Sequence, residues 1–272
     1  KGNGLTIDEW LTYRPTESLA LYMYQSPRKA KKLYFDVIPQ QVDDYLTFVE
    51  KYAAETDEAK RLENPAWHVH GGHPPAPEAG IKFSMLLNLA SACNPENASV
   101  LWGFLKRELP DATPENSPML DKLCQFAVRY YYDFVKPTKQ FRAATDTERT
   151  ALTELREYLA SLTDTPPLAG GRMGGGLPAH LSSDEASQPP PQPSPCGGGS
   201  GPTADDIQTR IYDLGLKYYS KETMRDWFKA MYEVLLGSQQ GPRMGSFIHL
   251  FGPKETIALI DESLARAGVA AA

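Results

Sequence analysis

Apolar residues recur every three or four positions through most of this chain, and this spacing limits the folds that are open to it. The spacing is typical of amphipathic helices, each of which buries one apolar stripe. It is clearest in four successive stretches with short connections, at residues 83–90, 100–109, 118–134 and 147–162. It returns in three later stretches, at residues 205–219, 220–237 and 254–266. Successive amphipathic helices of this kind predict an all-α fold, built as a helical bundle or cage.

The first part of the chain also predicts helices but ends in a break. Thr6 is a suitable N-cap for a helix over residues 7–13, because its hydroxyl can accept a hydrogen bond from a free backbone N–H group. Further helices are predicted over residues 16–26 and 43–52. Proline and glycine interrupt the pattern over residues 65–77, where we expect only a short strand at residues 66–70. We therefore place a domain boundary after residue 64.

A second break, residues 164–204, differs in composition from the rest of the chain. It contains glycine or proline triplets at residues 174–176, 189–191 and 197–199 and few apolar residues. So little apolar surface cannot offset the entropy of ordering the backbone, which is about 1–2 kcal/mol per residue. We predict a disordered insert here. The expected organisation is residues 1–64, then 65–163, the insert at 164–204, and finally 205–272.

Composition and charge exclude several classes of protein. A formal net charge of −6 over 272 residues argues against a protein that binds nucleic acid by bulk positive charge, for which a pI above about 9 is typical. Cys93, Cys124 and Cys196 are too few for a disulfide framework or a four-cysteine zinc site, which fits a reducing cytoplasm. No stretch reaches the roughly 18 apolar residues of a membrane helix, so we expect no membrane partner and a cytoplasmic location.

Positive charge is concentrated at one place. Arg28, Lys29, Lys31 and Lys32 put four cations within five residues. Such a cluster can contact several phosphates, although a basic helix face that is merely solvated is the more common case.

Three histidines in a short segment raise the question of a metal site. His68 and His70 would share one face of a strand, and His73 with Glu63 or Glu78 could complete a coordination sphere. The neighbouring tryptophan and prolines instead favour a packed turn in which the histidines hydrogen-bond. We therefore predict no metal site.

Nucleophilic catalysis has no support in the sequence. There is no Gly-x-Ser-x-Gly segment, and Cys93 and Cys124 lie on apolar helical stripes, where a small buried thiol is the usual interpretation.

Aromatic and basic residues alternate in two segments, as is typical of proteins that bind single-stranded RNA. Tyr130-Tyr131-Tyr132 precedes Lys136 and Lys139, and Phe247 and Phe251 follow Arg243. Core packing is at least as good an explanation for Tyr131 and Phe247. Arg243 and Ser246 are the better candidates for polar contacts to bases.

Several motifs together resemble one known family. They are Gly2-Asn3-Gly4 before Thr6 to Leu11, Asn64-Pro65-Ala66-Trp67-His68-Val69-His70-Gly71, Phe134-Val135-Lys136-Pro137 and Gly241-Pro242-Arg243-Met244-Gly245-Ser246-Phe247. The sequence resembles the C-terminal portion of class I lysyl-tRNA synthetases, beginning just after their Lys-Met-Ser-Lys-Ser-like loop. The resemblance spans nearly the whole chain except the insert, where the family ordinarily has a much shorter loop.

The resemblance implies a function for most of the chain. The family uses ATP and Mg²⁺ to form lysyl-adenylate and then transfers lysine to its tRNA. Lys1, Gly2 and Gly4 would belong to the edge of the catalytic signature loop, and Arg28, Lys29, Lys31 and Lys32 would contact the tRNA backbone. Residues 1–64 would form a stem-contact helical domain. The later helices would form the anticodon-binding cage, in which Arg243, Ser246, Phe247 and Phe251 contact the bases.

Because the family's nucleotide-binding domain is absent from the sequence, we expect this segment to be inactive alone and to bind neither ATP nor Mg²⁺. Lysine and ATP would be partners of the missing domain, lysine tRNA would be the partner of this one, and no DNA partner is expected. Two alternatives remain at this point. One is a helical protein-interaction module, and the other is the equivalent region of a glutamyl-type synthetase.

Overall fold

Every regular element in the described part of the chain is a helix, so the predicted all-α fold class is confirmed. The structure is a computed structural model that describes residues 6–30, 33–78, 80–163 and 202–269. Most of the predicted insert therefore lies outside the described residues, as do Lys1, Gly2, Gly4, Lys31 and Lys32. None of the described helices is both long enough and apolar enough to cross a membrane.

The first group of helices comprises α1 Ile7–Leu11, α2 Thr16–Tyr24, α3 Ile38–Ala54, α4 Glu58–Glu63 and α5 Pro65–Val69. As predicted, Thr6 caps α1: its side chain accepts a hydrogen bond from the Glu9 N–H, and the Glu9 carboxylate accepts one from the Thr6 N–H. A single turn of 3₁₀ helix, Phe35–Val37, leads into α3.

The short strand predicted at residues 66–70 is wrong, because this segment forms helix α5. Asn64 is its N-cap and accepts a hydrogen bond from the Ala66 N–H at 2.8 Å. Pro65 occupies the first turn, where its missing N–H costs nothing. An Asn-Pro pair is thus a helix start here, and the glycines that follow end the helix after one turn.

The second group comprises α6 Phe83–Cys93, α7 Ala98–Glu108, α8 Pro118–Tyr130 and α9 Asp146–Thr163. A π-helical turn, Tyr131–Val135, extends α8. The third group comprises α10 Ala204–Tyr218, α11 Met224–Met231, α12 Met244–Phe251 and α13 Pro253–Val269, and a second π-helical turn, Tyr232–Leu236, extends α11. All of the helices predicted from apolar spacing in these two groups are present, with ends shifted by a few residues.

One apolar core runs through the described residues. Trp10, Ile38 and Val42 of the first group belong to the same buried cluster as Phe83 and Phe247 of the later groups. A smaller cluster around Leu21 and Tyr45 lies beside it. The domain boundary after residue 64 stays a prediction. The shared core packs α3 against the helices of the later groups.

A carboxylate links these two parts. The Asp43 side chain, on α3, accepts hydrogen bonds from the first N–H groups of α6, at 2.6 Å from Phe83 and 3.3 Å from Ser84. Burial raises the pKa of Asp43, an effect that these hydrogen bonds oppose. Because a capped helix start stays in place, this contact fixes the N-terminal end of α6, which forms one wall of the site described next.

Candidate nucleic-acid interface

Arg243 and Ser246, predicted from the sequence as polar base contacts, line the same cavity. This Arg243 cavity has a volume of about 430 Å³. Its described lining residues are Gly80, Ile81, Lys82, Ser84, Met85, Glu108, Ala204, Pro242, Arg243, Ser246, His249 and Leu250. The cavity therefore brings together residues that are more than a hundred positions apart in the chain.

The ends of four helices surround the cavity. The N-terminal ends of α6, α10 and α12 contribute Ser84, Ala204 and Ser246, and the C-terminal end of α7 contributes Glu108. Arg243 is the N-cap residue of α12. Helix N-termini carry partial positive charge from their free N–H groups, so this arrangement favours electronegative ligand atoms.

Close packing of α12 on α10 sets the position of Arg243 and Ser246. The Gly245 N–H donates a hydrogen bond to Gln208 Oε1 at 2.8 Å. A Cβ atom on Gly245 would lie only 2.3 Å from the Ala204 carbonyl oxygen, so the two helices approach as closely as they do because residue 245 has no side chain.

The polar side-chain contacts of the cavity are near the surface. Arg243 Nη2 lies 2.8 Å from Asp205 Oδ1, with the two side chains 57% and 77% exposed. His249 Nε2 lies 2.8 Å from Glu108 Oε1. Exposed ion pairs contribute only about 0–1 kcal/mol, so a ligand can replace Asp205 as the partner of Arg243 at little cost.

Lys82 is held more firmly than Arg243. Its Nζ donates to Glu50 Oε2 at 2.8 Å and to Thr47 Oγ1 at 3.0 Å, both on α3. Lys82 therefore joins α3 to the start of α6, and Arg243 is the cation of the cavity that is freer to contact a ligand.

The predicted contact of Phe247 and Phe251 with the bases does not fit the structure. Phe247 is fully buried and Phe251 is 5% exposed. Their rings stack on each other at 5.4 Å between centroids, and Phe251 also stacks on Phe104. The reason is helical periodicity: residues 247 and 251 are four apart, so both point to the core side of α12, away from Ser246 and His249.

His249 is a cavity residue that the sequence analysis did not select. It provides the one aromatic ring among the described lining residues, and its side chain is 38% exposed. It lies three residues after Ser246, on the same helical face. That spacing could have identified it once residues 244–251 were assigned to a helix.

The predicted backbone-binding cluster is only partly described. Arg28 and Lys29 lie in the irregular segment after α2 and are exposed. Tyr24, at the end of α2, is 45% exposed and stacks on His68 at 5.1 Å. Arg28 and Lys29 are thus accessible to a ligand. The contact of this cluster with the tRNA backbone, which includes Lys31 and Lys32 outside the described ranges, stays a prediction.

The histidine segment makes ordinary side-chain contacts. His70 Nε2 lies 3.1 Å from the Tyr45 hydroxyl oxygen, and His68 stacks on Tyr24. Within the described ranges, no three His, Cys, Asp or Glu side chains are grouped closely enough to hold a metal ion.

Cys124 is buried, as its apolar stripe predicts, whereas Cys93 is only half-buried. Burial raises the pKa of Cys93 to about 11 and that of Cys124 to about 12. Both thiols are therefore neutral at physiological pH and poor nucleophiles.

Comparison with known proteins agrees with the resemblance seen in the motifs. The family described as tRNA synthetases class I (K) matches residues 1–73. This match covers the N-terminal helices and the segment that carries Arg28 and Lys29.

Individual relatives extend the similarity over nearly the whole chain. The lysine–tRNA ligase of Roseobacter denitrificans is 46% identical over 265 residues, which is 97% of this chain and 43% of that protein. Those of Rickettsia felis and Rickettsia bellii are 42% and 44% identical over the same share of this chain. No solved structure matches. The resemblance to class I lysyl-tRNA synthetases is thus confirmed, and the chain spans less than half the length of the relatives it matches.

Proposed function

We propose that this chain is the tRNA-binding portion of a lysine–tRNA ligase and that the Arg243 cavity receives an unpaired base of the anticodon. The observation that carries the proposal is the convergence of Arg243, Ser246 and His249 on one accessible cavity. The similarity to lysine–tRNA ligases over 97% of the chain supports the choice of ligand. It also favours the lysyl type over the glutamyl type.

The chemistry of the cavity suits uracil, the base that is common in lysine anticodons. Uracil has two exocyclic oxygens that accept hydrogen bonds and one imide N–H that donates. The Arg243 guanidinium donates, whereas the Ser246 hydroxyl can both donate and accept. The His249 ring offers a surface for the base to stack on, in place of the buried phenylalanines.

The activity of the whole enzyme is part of the same proposal. The whole enzyme would attach lysine to its tRNA in the cytoplasm, using ATP with Mg²⁺. Lysine and ATP would bind outside this segment, next to the loop that contains Lys1, Gly2 and Gly4. In this segment, Arg28, Lys29, Lys31 and Lys32 would contact the phosphates of the tRNA stem.

Arg243→Ala tests the base contact. We expect it to reduce the preference for a lysine anticodon over one with a changed central base by about 5-fold or more, because a specific base contact is worth about 1–3 kcal/mol. Fluorescence anisotropy with tRNA transcripts at one salt concentration measures this preference. Arg225→Ala is the matched control, since Arg225 is an exposed arginine on α11 that is not among the residues lining the cavity.

Titrations at several salt concentrations separate base contacts from phosphate contacts. The double substitution Arg28→Gln, Lys29→Gln should weaken all tRNAs alike. It should also lower the slope of log affinity against log salt concentration by about one for each phosphate interaction that it removes.

A decrease in preference smaller than about threefold on Arg243→Ala would contradict the assignment of Arg243. Binding of a protein partner with no binding of tRNA would favour the interaction-module alternative.

A further inference from the structure

Rings and cations form a continuous row on a second surface of the protein. This aromatic-cation row consists of Tyr131, Tyr132, Lys136, Lys139, Phe141 and Arg266. Lys136 Nζ lies 4.6 Å from the centre of the Tyr132 ring. Lys139 Nζ lies 5.3 Å from the centres of both the Tyr131 and Phe141 rings. These cation–π contacts are within the usual range of about 6 Å, and the Tyr131 and Tyr132 ring centres, 5.3 Å apart, join them into one row.

Arg266, from the distant helix α13, completes the row. Its guanidinium carbon lies 4.0 Å from the centre of the Phe141 ring. The Lys139 ammonium also donates a hydrogen bond to the Ser91 carbonyl oxygen. Three separate parts of the chain thus hold the row in place.

The outer rings of the row are exposed. Phe141 is 44% exposed and Tyr132 is 37% exposed, whereas Tyr131 is only 2% exposed. The Tyr131 hydroxyl donates to Asn94 Oδ1 at 2.9 Å, so this ring anchors the row to the core. Lys136 and Arg266 each cover one face of Tyr132 and Phe141, but both rings keep exposed apolar surface on which a flat ligand can stack.

The backbone beside the row forms a second cavity of about 510 Å³. Its lining includes Lys139 and Phe141 on one side and Gly237, Ser238 and Gln239 on the other. The cavity lies where the two π-helical turns end, and π-helical turns are frequent at functional sites. The Gln140 N–H donates to the Gly237 carbonyl oxygen at 2.9 Å, which ties the two sides together.

The local charge of the row is positive although the whole chain carries −6. Glu262 Oε1 lies 3.9 Å from Arg266 Nη2 and offsets one of the three positive charges of the row. The carboxylates of Glu148 and Glu233 are paired with Arg142 and Lys229, so these four charges balance one another and do not neutralise the row. Burial, with a smaller contribution from the charge of Arg266, lowers the pKa of Lys139 to about 8, so its amine is still mostly protonated at neutral pH. A ligand for this surface should combine negative charge with flat apolar groups.

We propose that the aromatic-cation row binds unpaired RNA nucleotides, with bases stacked on Tyr132 and Phe141 and phosphates next to Lys136, Lys139 and Arg266. Single-stranded nucleic acid has both features that the surface requires, whereas an acidic peptide supplies only the charge. The loop at residues 237–243 contributes to this cavity and to the Arg243 cavity. Nucleotides of one RNA loop can therefore occupy both cavities. This step of the inference rests on the proposed function.

Paired substitutions of the two exposed rings test the inference. Tyr132→Leu and Phe141→Leu remove the aromatic faces but keep apolar side chains, whereas Tyr132→Phe and Phe141→Tyr keep the rings. The probes are an oligouridylate and a stem–loop that carries the lysine anticodon, both at neutral pH. We expect each leucine variant to weaken binding of both probes by about 5-fold or more, and the ring-preserving variants to stay within about twofold of wild type. Thermal unfolding checks that each variant is folded.

The outcomes separate the inference from the proposed function. Binding by the double leucine variant within about twofold of wild type would overturn the inference, even if Arg243→Ala abolished the base preference. Equal decreases in the leucine and ring-preserving variants would overturn it too, because they would indicate a structural role for the rings. Competition by polyglutamate as strong as by oligouridylate would reassign the surface to an acidic peptide. Sensitivity to the leucine variants without any effect of Arg243→Ala would support the inference and count against the proposed anticodon site.

Discussion

Gly245→Ala is expected to lower the free energy of unfolding by about 3 kcal/mol, at the upper end of the range for overpacked sites. The added Cβ would lie 2.3 Å from the Ala204 carbonyl oxygen and 2.7 Å from the Gln208 backbone nitrogen. Both are backbone atoms in the first turns of α10, so no side-chain rotation can relieve the contact. The helices must separate, which would also break the hydrogen bond from Gly245 to Gln208.

Gly103→Ala is the matched control for this prediction. Gly103 lies inside α7, and a Cβ added there meets no atom within 4 Å. Alanine is a better helix former than glycine by about 0.8–1.0 kcal/mol, so this variant should be more stable than wild type. Urea denaturation measures the free energy of unfolding of both variants. Equal behaviour of the two variants would show that α10 and α12 are not in close contact. Since Arg243 and Ser246 flank Gly245, we expect Gly245→Ala to disturb the Arg243 cavity as well.

The second large effect is expected at Arg142, which binds two carboxylates. Its Nη1 and Nη2 donate to Glu148 at 2.7 and 2.8 Å, and its Nε donates to Glu233 at 2.6 Å. Glu148 is only 8% exposed in its side chain, so Arg142→Met leaves a nearly buried carboxylate without a cation. Removing one partner of a fully buried pair costs about 3–5 kcal/mol. Because the Arg142 side chain is 37% exposed, we expect about 2 kcal/mol.

The pH dependence of the stability loss in Arg142→Met is a more specific test than the magnitude of that loss. Burial acts to raise the pKa of Glu148, but hydrogen bonds from Arg142 and Thr145 outweigh it, so the pKa lies below its ordinary value of 4.5. A lowered pKa contributes stability above the unfolded-state value, and this contribution is lost as the pH falls through the folded-state value. The stability difference between wild type and Arg142→Met should therefore be largest near neutral pH and shrink below about pH 4.

Adding Glu148→Gln to Arg142→Met should recover part of the lost stability. The amide oxygen can still accept the hydrogen bond that the Thr145 N–H donates to Glu148 at 2.8 Å, and no charge is buried. A stability difference that stays the same from about pH 3 to about pH 7 would contradict the role given to Glu148.

Most of the described helices could be predicted from the sequence because they depend on local spacing, whereas the short helices α4, α5 and α12 were not predicted. The stripes of α6 to α9 and the cap at Thr6 follow from residues three or four positions apart. The strand predicted at residues 66–70 is wrong because Asn64 caps a helix that has Pro65 in its first turn. The π-helical turns after α8 and α11 have no comparable local signature.

The candidate sites were harder to predict, since they depend on contacts between distant parts of the chain. The chemistry of Arg243 and Ser246 indicates them from the sequence alone, but Ser84 and Lys82 reach the same cavity only through the packing of α6 near α12. The predicted base contact of Phe247 and Phe251 does not fit the structure because their spacing places both on the buried face of α12. Arg266 joins the aromatic-cation row from more than a hundred residues away, which no local pattern indicates.

The claim that this chain reads an anticodon is tested most directly by its affinity for two tRNAs at one fixed salt concentration. One is a lysine-accepting tRNA, and the other is the same tRNA with its central anticodon uridine replaced by cytidine. We predict that the replacement weakens binding by about 5-fold or more, since a mismatched contact costs about 1–3 kcal/mol. Equal affinity for both tRNAs, or no binding of either, would contradict the claim.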